Sequence, residues 1–238
     1  MSSAMSPRPY QLGKRQEQID ESRRRIIDAA RSLLAEADSY TAFTVDAVAR
    51  RAGVARATIY YQFDSKTGLL EALCDALAEA GQLSELSAAF TNPDPAQALR
   101  SFVASFGRFW AADRLVMRRL RALAALDPEV AAVISARDER RRTGLRVLAG
   151  RLGEEGVTAV EPDRAVSLLF ALTSFEMFDA LADPEQDLTD VVHDVLELAE
   201  AALLMPESVS EPLLSTETSA PSGRSRRSPH DNLRRSTA

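Results

Sequence analysis

The sequence predicts an all-α fold, with a small N-terminal helical unit ahead of a larger helical body. Three observations carry this. Apolar residues recur at three- and four-residue spacing along most of the chain, as one face of a helix requires. No stretch alternates apolar and polar residues between hairpin turns. Glycine and proline fall between the periodic segments, where helices start and stop.

Residues 1–20 are rich in Ser, Pro and polar residues, lack a period, and are expected to form a flexible arm. Ile26, Ile27, Ala30, Leu33, Leu34 and Ala37 then mark a first helix, followed by the polar turn "ADSYTAF". Thr44 can cap a second helix, with Asp46 in its first turn and Val45, Val48, Ala49 and Ala52 as its apolar stripe. Gly53 stands where a helix favours a left-handed stop. A short helix runs from Ala55 to Gln62, and "FDSKTG" leads into a longer one bearing Leu69, Leu70, Leu73 and Leu77. Five further helices are expected: one after a Pro-Asp-Pro turn, one ending at Asp127-Pro128, and then about 129–152, 162–182 and 188–204. Residues 206–238 are rich in Ser, Pro and Arg and are expected to be disordered.

The chain has 238 residues, 45% hydrophobic and 27% charged, as in an ordinary globular protein. No uncharged apolar run approaches the ~18 residues that a membrane span needs. The N-terminal segment shows no apolar core of a secretory signal, and the single cysteine, Cys74, cannot form an intrachain disulfide. The expected compartment is the cytoplasm. Net charge is −6, unevenly spread. Residues 1–66 hold 11 basic and 8 acidic residues (+3), residues 67–205 hold 13 and 23 (−10), and residues 206–238 hold 5 and 4 (+1). A basic end on an acidic body permits contact with a polyanion through the first part.

The short helix is the informative element. With Ile59 facing inward, Phe63 shares its face, while Ala57 and Tyr61 point away. Arg56, Thr58 and Tyr60 lie on the flanks, and Gln62 sits nearer the buried side. Two helices joined by the turn at Gly53-Val54 form the helix-turn-helix pattern, whose second helix enters the DNA major groove. Outward Ala57 would let the backbone sit deep and touch a thymine methyl, and Arg56 could read guanine. Thr58, Tyr60 and Tyr61 could meet phosphates or sugars. Lys66 lies in the first turn of the next helix, where a cation opposes the macrodipole by roughly 0.3–1 kcal/mol. A phosphate bound there would remove that conflict; a solvated lysine is the plain alternative. Thr44 is a cap that can also sit at a phosphate.

From about Ser22 to Leu73, above all in "TVDAVARRAGVARATIYYQFDSKTGLL", the sequence resembles the TetR family of bacterial transcriptional regulators. The resemblance implies DNA contacts from Thr44, Arg56, Ala57, Thr58, Tyr60, Tyr61, Gln62 and Lys66, and core positions at Val45, Val48, Ile59 and Phe63. Three departures stand out. Ala55 replaces a frequent Ser, losing a cap typically worth ~1 kcal/mol. Gln62 replaces a frequent His. The turn after the first helix lacks its usual glycine.

The resemblance further implies a division into an arm (1–20), a helix-turn-helix DNA-binding domain (21–66), an effector-binding and dimerisation domain (67–205) and a tail (206–238). It implies a ligand-responsive repressor that binds a palindromic operator as a homodimer, with a small-molecule effector and no cofactor or metal. The last two long helices would pair across the dimer through Leu168, Leu169, Leu172 and Phe175, and through Leu188, Val191, Val192, Val195, Ala199 and Ala202. The same stripes suit intrachain core. Candidate effector contacts are Phe102, Phe106, Trp110, Met117, Phe170 and Phe175, with Phe109, Met177 and Phe178 beside them; plain core is the alternative for each. "RRLR" at 118–121 and "RDERRR" at 137–142 are expected to be solvated faces, and Glu176 to be exposed.

Two other classes fit these residues less well. An enzyme lacks support: His193 and His230 are isolated, Cys74 has no evident base, and no phosphate loop or zinc spacing occurs. An α-helical dimeric interaction protein with weakened DNA binding, or an activator, remains the alternative.

Overall fold

The computed structural model describes residues 9–36 and 43–204, which form eleven α-helices and one 3₁₀ turn, with no strand among them. The all-α expectation holds. None of the described helices is long and apolar enough to cross a membrane. The turn at 37–42 and the tail from 205 onward, expected to be a glycine-free turn and a disordered segment, lie outside the described residues.

The head comprises α1 (Pro9–Glu36), α2 (Val45–Ala52) and α3 (Arg56–Phe63). Helix α1 begins twelve residues earlier than the flexible arm of 1–20 allowed. Proline costs little at a first helical turn, and the residues after it are mostly good helix formers. Gln16 donates to Asp20 one turn on, at 2.9 Å. Thr44 caps α2 by accepting from the Ala47 amide at 3.1 Å. Gly53 stops α2 at φ +65°, and the Val54 amide reaches back to the Ala49 carbonyl at 3.0 Å. That closure needs a left-handed residue, which glycine adopts without cost. Ile26, Ala30 and Leu34 of α1 pack with Val45 and Val48 of α2 and with Ile59 and Phe63 of α3, all buried. Each large side chain removed from water contributes about 1.5–3 kcal/mol.

Helix α4 (Lys66–Ala80) runs out of the head. Ser65 caps it by accepting from the Gly68 amide at 2.9 Å. The body then follows as α5 (Leu86–Thr91), α6 (Pro95–Ala111), α7 (Arg114–Ala124), α8 (Pro128–Glu154), α9 (Pro162–Leu172), α10 (Phe175–Leu181) and α11 (Val192–Leu204). Asp94, Asp113 and Asp127 cap α6, α7 and α8 with their carboxylates. Head and body meet along two seams, α1 on α7 and α4 on α8. Across the first, Arg31 pairs with Asp113 at 2.5 Å and Arg119 donates to the Leu34 carbonyl at 2.7 Å.

Three elements differ from expectation. The 3₁₀ turn at Leu83–Glu85 and α5 had no periodic signature; α5 is short and buries only Ala89 fully. Helix α11 starts at Val192, four residues after Leu188. The helix expected over 162–182 is broken at Thr173-Ser174. Buried side chains satisfy the break. Arg141 donates to the Phe170 carbonyl at 2.8 Å and to Thr173 Oγ1 at 2.9 Å, and Trp110 Nε1 donates to the Thr173 carbonyl at 3.2 Å. Ser174 then caps α10 by accepting from Met177 N at 3.2 Å. Orphan groups at helix ends need such partners when they are buried.

The stripes assigned to dimer pairing are largely used within the chain. Leu169, Phe175, Leu188, Val191, Val195 and Ala199 are all buried in the single chain. Of the two readings of those stripes, intrachain core is the one realised for these six.

Candidate functional site

Helix α3 presents the faces expected of it. Ile59 and Phe63 are buried; Arg56, Ala57, Tyr60 and Tyr61 are exposed; Thr58 and Gln62 are half-buried. Ala55 begins the helix without any side-chain cap. Tyr61 is 75% exposed. Arg56 is poised across the helix-turn-helix. Its guanidinium donates to Asp46 of α2 at 3.0 and 3.2 Å and to the Tyr60 hydroxyl at 3.1 Å. These bonds hold it above the usual arginine value, the Tyr60 bond first and the nearby Asp46 charge next.

Two residues of the expected DNA-contact set are engaged elsewhere. Lys66 is only 21% exposed and its ammonium pairs with Asp127, and with Glu129 at 3.1 Å. Burial works against its charge, but hydrogen bonds to the two carboxylates outweigh that and hold it above the usual lysine value. The conflict with the α4 dipole is thus relieved by carboxylates of α8, where a phosphate was expected. Gln62 leans on α1: its side-chain amide donates to the Ile19 carbonyl at 3.4 Å, while its backbone carbonyl accepts from Arg23 at 2.7 Å. Of the rest of the set, Thr44, Arg56, Ala57, Tyr60 and Tyr61 are exposed, and Thr58 is half-buried.

The body holds a partly open cavity of about 380 Å³ walled by α4, the 3₁₀ turn, α5, α6, α7 and α8. Of the expected effector contacts, Phe102, Phe106, Trp110 and Met117 line it, with Phe109. Phe170 and Phe175 do not. Phe170 lies under the guanidinium of Arg141, 4.0 Å from ring centroid to Cζ, and Phe175 packs edge-on against Trp110 at 5.8 Å. They belong to α9 and α10, neither of which contributes to the lining. Met177 and Phe178 also lie outside the lining.

The charged lining was missed. Asp75, Arg121, Arg137, Asp138, Arg140 and Arg141 all reach the wall. The runs expected to be solvated faces therefore include cavity residues, and Arg141 is only 5% exposed. Burial pushes its guanidinium down to about 10, which still leaves a cation at neutral pH. Arg121 pairs with Asp138 at 3.2 Å and with Glu176, which is exposed as expected. A signal for this existed in the sequence. Along α8, Val130, Val133, Leu145, Leu148 and Leu152 form a buried stripe, and Arg137 and Arg141 occupy its two middle positions. Charged residues inside an apolar stripe are uncommon unless paired.

Residues 26–73 match the family model for bacterial regulatory proteins of the tetR family. No protein of curated function matches the sequence. Among solved structures, the chain is similar to the TetR-family regulator PfmR from Thermus thermophilus, at 22% identity and a TM-score of 0.58, covering 76% of this chain and 99% of that one. It is also similar to the fatty acid degradation regulator FadR from Bacillus halodurans, at 24% identity and a TM-score of 0.58, covering 74% and 96%. A third is SmeT in complex with triclosan, at 20% identity and a TM-score of 0.59, covering 82% and 99%.

Proposed function

We propose, from the match of residues 26–73 to the tetR family of bacterial regulatory proteins, that this chain is a ligand-responsive repressor of that family, binding a palindromic operator as a homodimer. One observation carries the reading. Helix α4 is uninterrupted from Lys66, beside the recognition helix α3, to Cys74, Asp75, Leu77 and Ala78 in the cavity wall. A ligand that prefers one position of α4 thereby biases the angle of α3. It lowers operator affinity only by its differential binding to the two states. The triclosan bound to SmeT supports a small-molecule reading of a cavity in this fold.

On this reading Thr44, Tyr60 and Tyr61 meet phosphates or sugars, Ala57 allows close approach, and Arg56 reads a base. Two half-sites on one face of the duplex call for a two-fold dimer with recognition helices about 34–36 Å apart, or multiples of that. The pairing of Lys66 within the chain and the missing cap at Ala55 favour the second reading, a helical interaction protein with weakened DNA binding. Selection of duplex DNA from a random pool by the full chain, at stated salt, separates the two. An enriched palindrome is expected. A folded protein that enriches no sequence, with and without added ligand, would reject the operator reading.

A further inference from the structure

Asp46 stands where a DNA-facing surface has reason to avoid an acid. It lies in the first turn of α2, close to Thr44, and its side chain is 61% exposed. A carboxylate there repels phosphates. The α2 cap does not require it, because Thr44 already accepts from the Ala47 amide. An acid in a first turn favours its helix through the dipole, but that benefit does not depend on what the side chain touches.

What Asp46 touches is Arg56, the first residue of α3, across the turn of the helix-turn-helix. Both carboxylate oxygens accept from Nη1 of Arg56, at 3.0 and 3.2 Å. Nη2 donates to the Tyr60 hydroxyl at 3.1 Å, and the guanidinium carbon lies 5.5 Å from the centre of the Tyr60 ring. The guanidinium is thus held by α2 and by the next turn of α3. It carries five N–H donors. These three bonds use at most three of them, so at least two remain, on a side chain that is 56% exposed. Tyr60 is the acceptor in its bond, so its own O–H can still be donated to a phosphate.

We propose that Asp46 is a specificity-determining residue: a positioning residue that touches no base itself and holds Arg56 ready to read guanine with its remaining donors. This rests on the operator reading. Guanine presents two acceptors, O6 and N7, on its major-groove edge, where each other base presents at most one. An arginine moving freely in water must give up rotamer freedom to make both bonds, and a brace formed before DNA arrives removes part of that cost. Loss of the Asp46 carboxylate therefore has two opposite effects. General attraction to DNA rises, because a negative charge is gone. Discrimination falls, because Arg56 is no longer held. An ion pair that served only the stability of the head would leave discrimination untouched.

The test uses the full chain, the palindrome that it enriches, and copies of that palindrome with one base pair changed in each half-site, all at one stated salt. Arg56→Ala should lower the preference for one guanine per half-site about tenfold. Asp46→Ala and Asp46→Asn should lower the preference for that same guanine about threefold, and tighten binding to unrelated duplex about twofold. Thermal melts of each variant check that the head stays folded, and the asparagine variant keeps the size of the side chain. In an Arg56→Ala background the Asp46 substitutions should have no further effect on base preference, because Asp46 acts through Arg56. Four results would overturn the proposal: a palindrome whose bases do not depend on Arg56, a guanine preference unchanged in both Asp46 variants, a sharper one, or an Asp46 effect that persists without Arg56. A sharper preference would mean that Asp46 withholds Arg56 from DNA, and a persistent effect that Asp46 meets a base itself. Any of the four, with a palindrome in hand, rejects the brace and leaves the regulator standing. No palindrome from the folded wild type, with and without added ligand, rejects the operator reading and this role with it.

Discussion

Tyr61 and Cys74 show how differently two single side chains can be placed. The Tyr61 ring covers little of the head and is almost wholly in water. Its removal should therefore leave folding stability within about 0.5 kcal/mol of wild type, as for most surface changes. On the proposed reading Tyr61→Ala weakens operator binding about fivefold to tenfold, the worth of one phosphate or sugar contact. Paired thermal melts and operator titrations check both halves, and a lowered melting point with unchanged DNA binding would return Tyr61 to a structural role. Cys74 is the opposite case. It is buried in the cavity wall, and burial, ahead of smaller effects from neighbouring charges, pushes its thiol up to about 11. The thiolate is the reactive form. Reaction with Ellman's reagent should be slow near neutral pH, climb about tenfold per pH unit, and level off only as pH nears 11. Rapid labelling near pH 8, with the fold intact, would contradict that burial.

Single elements show where sequence reasoning reaches and where it stops. The faces of α3 were legible because an eight-residue helix leaves little freedom once Ile59 is placed inward. The cap at Thr44 and the stop at Gly53 were legible because each is a local backbone requirement. The break between α9 and α10 was not: its partners, Arg141 and Trp110, come from α8 and α6, 32 and 63 residues from Thr173. The pairing of Lys66 escaped for the same reason, since Asp127 is 61 residues away. Local geometry also sets a prediction at the head of α4. A Cβ on Gly68 would lie 2.0 Å from the Phe63 carbonyl oxygen, which is fixed backbone. Glycine to alanine inside a helix ordinarily stabilises by about 0.8–1.0 kcal/mol. Here Gly68→Ala should destabilise by about 1–3 kcal/mol, the usual cost of overpacking, and reduce DNA affinity by displacing α3 against α4. Denaturant titration decides the sign, and a stabilised variant would show that the α3–α4 turn yields freely.

Across the whole molecule, α4 and α8 are tied twice, at Lys66 with Asp127 and Glu129, and at Arg137 with Asp75 and the Glu71 carbonyl. The first tie uses the ammonium that a phosphate contact would need, so the two roles compete. If DNA takes Lys66, it must draw it from α8, and anything that strengthens the tie weakens DNA binding by the same factor. Asp127→Asn with Glu129→Gln removes the competing charges while asparagine still caps α8. Partly exposed pairs are worth about 0–1 kcal/mol, so operator affinity should rise up to about fivefold. The slope of log K against log salt should steepen by about one unit, the mark of one more phosphate contact. Hydrogen bonding to Lys66, ahead of the other influences, holds the Asp127 carboxyl below the usual carboxylate value. Its contribution is therefore complete above the ordinary carboxylate range and is lost only as pH falls below it, so the difference between the two proteins should not change around neutral pH. Removing two negative charges near DNA would by itself raise affinity, and the cycle must be closed in a Lys66→Met background. If the ammonium is the link, the gain vanishes there. If the gain persists in full, the carboxylates act through the general field and Lys66 serves only to hold α4 to α8.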